Sequence, residues 1–135
     1  VKDLYNNALS RHSVAVANRT NGTVSGTGVD RAQFGNMANA VMIVAVAGAI
    51  TDGTHAVNVQ ESDDNSTWAD APASALLGTE PSFTSANANS TADVGYIGTK
   101  RYVRAQVVTT GATTGGAVGA VVILGDPRNA PVARS

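Results

Sequence analysis

From Ala38 to Ile50 the chain carries no charge and is interrupted only by Asn39 and Gly48. Val41, Met42, Ile43, Val44 and Val46 lie within this run. A helix needs roughly 20 apolar residues to cross a bilayer, so the run is too short to span one. It begins well inside the chain, which separates it from a signal-peptide core. Its alanines permit a helix, but Asn36-Met37 offers no clean cap and β-branched residues dominate. Ala49 leads into Asp52-Gly53, a hairpin turn signal. The run therefore reads as a strand buried on both faces.

The remaining segments are short and punctuated by glycine. Residues 1–12 form an N-terminal arm or short helix, with Leu4, Ala8 and Tyr5 as its apolar stripe. Ser13–Ala17 reads as a strand, and Asn21-Gly22 opens a turn into an irregular edge strand through residue 30. Thr54–Glu61 alternates, with Ala56 and Asn58 opposite Val57 and Val59. Ser62–Ser66 is a polar turn, and Thr67-Trp68 resumes a short strand. Residues 71–93 are the loosest stretch. Val94–Ile97, Lys100–Thr109 and Ala117–Leu124 are further strands, and GATTGG (111–116) is a hairpin loop. In Lys100–Thr109, Tyr102, Arg104, Gln106 and Val108 share one side. Gly125-Asp126-Pro127 stops the last strand, because proline cannot donate within a ladder. The tail 126–135 is expected to be extended and to lie on a partner. These features give one all-β domain over 13–125, a β-sandwich or jelly-roll-like fold with short extended terminal arms.

About half of the chain is Ala, Val, Gly or Thr. Small side chains bury little area each, so the hydrophobic gain per residue is modest. Only 14% of residues are charged, against about 25% in ordinary domains. Oligomerisation or docking on a larger surface would add burial; the alternative is a tightly packed sandwich with a threonine-rich surface. The chain has no cysteine, which excludes disulfides, thiolate chemistry and cysteine-ligated zinc. Net charge is −1, so a bulk-charge nucleic-acid binder is not expected.

That near-neutral sum hides segregation. Residues 1–50 carry four cations and two acids, residues 51–93 seven acids and no cation, and residues 94–135 five cations and one acid. Complementary patches of this kind set register between copies in a lattice. Pairing across the sandwich within one chain is the equal alternative.

Catalytic chemistry lacks material. His12 and His55 are the only imidazoles and share no ligand spacing. Glu61, Asp63, Asp64 and Asn65 concentrate oxygen ligands, but without an EF-hand loop; a solvated turn is the simpler reading than calcium. GTGVD and GATTGG are neither Walker loops nor dinucleotide fingerprints. Lys100, Arg101 and Arg104 interleave with Tyr96 and Tyr102, a mix that could touch nucleic acid, although an acidic partner is simpler. Trp68, the single indole, reads as a core or sheet-edge anchor ahead of a ligand platform. No catalytic, cofactor or metal residue is assigned. Lys100, Arg101, Arg104, Arg128, Asp63 and Asp64 are the expected protein contacts, and Trp68, Tyr96 and Tyr102 the expected structural anchors.

Residues 48–78 and 94–131 resemble small head structural proteins of tailed bacteriophages. The likeness rests on Asp52-Gly53, Trp68, Tyr96, Gly98, Lys100-Arg101-Tyr102, Arg104 and Gly125-Asp126-Pro127. The resemblance implies a non-enzymatic decoration or cement protein on the capsid exterior, made in the bacterial host cytoplasm. Its partners would be the major capsid protein and further copies of itself, with no nucleic acid or membrane. A tail, connector or spike component and a glycan-binding β-sandwich module are the alternatives.

Overall fold

The computed structural model describes residues 3–135. Among the described residues, eleven strands make up the domain. They are β1 (Ala8–Arg19), β2 (Gly22–Ser25), β3 (Val29–Asp30), β4 (Ala38–Ile50), β5 (Thr54–Ser62), β6 (Ala69–Asp70), β7 (Leu76–Leu77), β8 (Ser82–Phe83), β9 (Ser90–Tyr96), β10 (Tyr102–Thr110) and β11 (Gly116–Pro127). One sheet has the order β1-β11-β4-β9-β7; the other runs β2-β10-β5-β6, with β3 on β10 and β8 on β5. Every pairing is antiparallel. The outermost partners are nested: β1 pairs with β11, β2 with β10, β4 with β9 and β5 with β8.

The two sheets enclose one core and form a sandwich-like, all-β domain. Ile43, Ala45 and Ala47 of β4 and Val118, Ala120 and Val122 of β11 meet Val57 and Val59 of β5 and Val103, Ala105 and Val107 of β10. Valine dominates because strands of this length place one β-branched side chain inward every second residue. Phe83 and Tyr96 supply the large rings of the interior.

A polar seam joins the sheets at the β1 edge. Ser13 Oγ accepts from the Ala105 amide at 2.9 Å and donates to the Thr27 carbonyl at 3.1 Å. The Gly26 amide donates to the Ala105 carbonyl at 2.9 Å and the Thr27 amide to the Ser13 carbonyl at 2.7 Å. A Cβ on Gly26 would stand 2.7 Å from two backbone oxygens, so glycine is required at this crossing.

Several boundaries differ from the sequence reading. The first strand begins at Ala8, so residues 8–12 of the expected arm are sheet; Val1 and Lys2 lie outside the described residues. The last strand extends to Pro127, which pairs opposite Ala38 at its end. The tail folds back on its own domain. Asn36 clamps Ala133 through two 2.8 Å hydrogen bonds, and the Val132 amide donates to the Asn6 carbonyl at 2.9 Å. The stretch 71–93 holds β7, β8 and three-residue helical turns, one closed by a capping box between Thr84 and Asn87.

Strand β4 carries the main correction. It spans Ala38–Ile50 as expected, but only one face is buried throughout. Val41, Ile43, Ala45 and Ala47 point into the core, whereas Ala40, Met42, Val44 and Val46 point outward.

Candidate functional site

The two outer faces of the sandwich differ in chemistry. On the second sheet, cross-strand rows place Arg104 beside Gln60 and Asp70, and Gln106 between Ser25 and Asn58. Arg104 Nε donates to Gln60 Oε1 at 2.8 Å, and Gln60 Nε2 donates to Asp70 Oδ1 at 3.0 Å. Gln106 Nε2 reaches Ser25 Oγ at 3.0 Å. Polar residues on the solvent side are the ordinary arrangement for an antiparallel sheet.

The first sheet breaks that arrangement. Its outward rows set Ser10, Ile123, Met42 and Gly95 in one line and His12, Val121, Val44 and Asp93 in the next. Gly119, Val46 and Thr91 follow. Met42 is 38% exposed, and Leu77 and Val16 at the flanks are 58% and 65% exposed. Four strands about 4.8 Å apart and three rows about 6.8 Å apart make a face of roughly 400 Å². Met42, Val44, Val46, Val121 and Ile123 form its contiguous aliphatic centre, with Ser10, His12, Asp93 and Thr91 around it, the pattern of an interaction surface rather than scattered hydrophobes. The β-branched continuity of residues 38–50, read from sequence as two-sided burial, belongs to this face.

The expected contact residues gather at one end of the sandwich, where β10 starts, β5, β9 and β11 end, and Val132 of the tail meets Asn6. Lys100 Nζ lies 2.7 Å from Asp63 Oδ2. Arg101 pairs with Asp30 through two 2.9 Å hydrogen bonds. That fork holds the Asp30 carboxyl below its ordinary pKa, with the Ala32 amide adding to it against burial. Asp63 in turn raises the Lys100 ammonium above its usual value. Intramolecular pairing thus absorbs part of the segregated charge.

The carboxylates of the acidic turn are taken up by donors of this chain. Glu61 Oε1 accepts from the Tyr96 hydroxyl at 2.7 Å, and Asp63 goes to Lys100. Asp64 Oδ1 accepts from the Thr67 and Ser66 amides and the Ser62 hydroxyl, which lowers its pKa. Each carboxylate has its own donor, and no group of three ligating side chains that could hold a metal ion occurs among the described residues.

The aromatic anchors take different positions. Tyr96 is 1% exposed and sits in the core. Burial first, then the Glu61 hydrogen bond, push its phenol up to about 12. Trp68 is half-buried on the outside of the second sheet, with the Arg104 guanidinium 4.3 Å from its ring centre. A Cβ on Gly28 would meet the indole edge at 2.7 Å. Stacked Arg104 takes one ring face that a sugar platform would need. Tyr102 is half-buried beneath Arg101, 5.1 Å away.

Two residues missed in the sequence complete this end. Arg31 donates to four carbonyls, of Ala38, Asn39, Gly98 and Lys100, at 3.0–3.3 Å. Met37 is 40% exposed in a left-handed backbone conformation, φ 52°. Arg31, Met37, Lys100, Arg101 and Arg128 line an open cleft of about 490 Å³. Nothing in the spacing of the chain places Arg31 beside residues 98–100; only the β3–β10 pairing does so.

Comparison with known proteins identifies no relative. No family model, curated protein or solved structure matches the chain. No helix among the described residues is long and apolar enough to cross a membrane.

Proposed function

We propose that the chain is a non-enzymatic structural protein of a tailed-bacteriophage virion, binding and stabilising the capsid exterior as a decoration or cement protein. The observation that supports assembly into a larger structure, the self-association part of this reading, is the aliphatic outer face of the β1-β11-β4-β9 sheet. A sheet with both faces apolar is stable in water when its second face is covered. We assign that face to a second copy of this chain. Asp93 is its one carboxylate and His12 its one imidazole, so it offers little for charge-led recognition. Two like aliphatic sheet faces can stack about 10 Å apart, as sheets do inside a sandwich.

The strand order supports the same reading. With β3, β6 and β7 set aside, the sheets are β1-β11-β4-β9 and β2-β10-β5-β8. Nested pairing of first strand with last, and alternation between sheets, support the jelly-roll reading of this sandwich-like domain, an architecture used in viral capsids and lectins. Fold alone does not fix function, and the virion origin rests on the resemblance of residues 48–78 and 94–131. The glycan-binding alternative draws on the polar second sheet, but Trp68 has one ring face committed to Arg104.

Imaging and mass analysis of purified virions test the proposal. A decoration protein is present on the order of hundreds of copies in fixed ratio to the capsid protein, whereas a connector or tail ring has about six or twelve. Stripped shells should lose heat resistance. Shells that keep full resistance, or a ring-like copy number, overturn the cement reading.

A further inference from the structure

The cleft at the terminal end has a charge arrangement that its own chain leaves incomplete. No carboxylate lines it. Asp30 and Asp63 hold Arg101 and Lys100, but Arg31 and Arg128 have no carboxylate partner among the described residues. Arg31 is half-buried; four neutral carbonyls accept its hydrogen bonds and the Tyr96 ring lies 5.8 Å from its guanidinium, but no carboxylate among the described residues meets its charge. A cation withdrawn from water without a counter-charge favours an anion brought from outside. The Arg128 side chain makes no hydrogen bond within the described residues, although its amide is fixed to the Asn36 carbonyl at 2.8 Å. Its root is therefore set and its guanidinium is exposed.

The cleft wall is not uniformly polar. Met37 and Ala38 contribute apolar surface beside the cations. Met37 is held there by a turn in which Phe34 and Met37 both have positive φ, a costly backbone state for such side chains. Asn36 and the tail fasten that turn, through Ala133 and through Asn129 Nδ2 to the Gly35 carbonyl at 2.7 Å. Arginine and methionine are favoured at protein interfaces.

We propose that this cleft binds an acidic, extended peptide segment of a partner protein, with carboxylates at Arg128 and Arg31 and an apolar side chain against Met37. A small oxyanion would use the cations but leave Met37 idle. This inference does not depend on the virion reading, because it concerns the isolated chain.

The test is an amide NMR titration of the full chain with a glutamate-rich hexapeptide containing one leucine. Inorganic phosphate and the glutamine analogue of the peptide are the comparison arms. The expected result is saturable shifts confined to residues 31–39, 98–101 and 128. Affinity should fall about tenfold or more in Arg128→Ala, and again as salt rises from 50 to 300 mM. The glutamine analogue should shift nothing. Unchanged affinity in Arg128→Ala, absence of saturation at millimolar peptide, or phosphate binding as tightly as peptide would each overturn the proposal. Arg128 supports no core contact, and an unchanged amide spectrum away from the cleft confirms that the variant is folded.

Discussion

The Tyr96 hydroxyl donates to Glu61 Oε1 across 2.7 Å, and so ties β9 of one sheet to β5 of the other. The Lys100 amide donates to the same phenol oxygen at 3.3 Å, which anchors the loop of the candidate cleft to the core. Fold and site meet at this oxygen.

The raised pKa of Tyr96 makes stability depend on pH on the alkaline side. Its folded value, about 12, lies above the unfolded value near 10. The folded state therefore holds the proton more tightly, and stability from this group is full below about pH 10 and is lost as pH rises toward 12. Tyr96→Phe should flatten that alkaline decline. At neutral pH it should cost about 1–2 kcal/mol for the lost hydrogen bond. Denaturant midpoints between pH 8 and 11.5 check both, and parallel profiles for the two proteins would contradict the assignment.

The acid side depends on different groups. Asp52 accepts from the amides of Gly115, Thr114 and Thr113, which hold its carboxyl below the ordinary range. Asp64 is lowered by its own turn. With folded values below the unfolded value of about 3.9, both contributions are present above pH 4 and lost as pH falls through the folded values. Asp52→Asn should lower the melting temperature at pH 7 and reduce its fall below pH 4. A circular dichroism melt series from pH 7 to 2 reads this, and an unaltered acid profile would count against it.

The seam at Ser13 is a third target. Ser13→Ala leaves the Ala105 amide without its acceptor in a buried position. The expected loss is about 1–3 kcal/mol. Gly26→Ala should cost as much or more, since its Cβ would meet backbone oxygens. Denaturant titration measures both. A loss under half a kilocalorie in each would mean the sheets are not held together there.

Much of this architecture was legible in sequence. Alternation at Val57/Val59 and along Tyr102–Val108 matches the buried and outward faces found. The turn signal Asp52-Gly53 falls between strands, and Asn21-Gly22 and residues 111–116 run from a turn into the first residue of β2 and of β11. Residues 8–12 escaped because their apolar positions are sparse; β1 is fixed there by pairing with Val121–Gly125, a partner more than 100 residues away. The role of Val44 and Val46 was hidden for a related reason. Periodicity reports that both sides of a strand are apolar, but not whether the second side is covered by this chain or by another. Arg31 was hidden because its carbonyl partners are distant in sequence.

Arg104 and Trp68 give a spectroscopic reporter. Replacing the guanidinium that stacks 4.3 Å from the ring centre should shift indole emission to longer wavelength. Arg104→Ala should also cost roughly 0.5–2 kcal/mol. Arg104→Lys should retain part of both effects. Emission unchanged in Arg104→Ala would contradict the stacked geometry.

Mass in solution decides whether the aliphatic face is a contact between copies. Light scattering on the purified chain over a range of concentrations should give masses that rise above the 13.6 kDa of one chain. Met42→Glu places a carboxylate in the middle of the face, at a position already 38% exposed, and should return the protein to a folded monomer. A wild-type chain that stays at 13.6 kDa at every concentration, or a Met42→Glu variant that associates as the wild type does, would contradict the assignment.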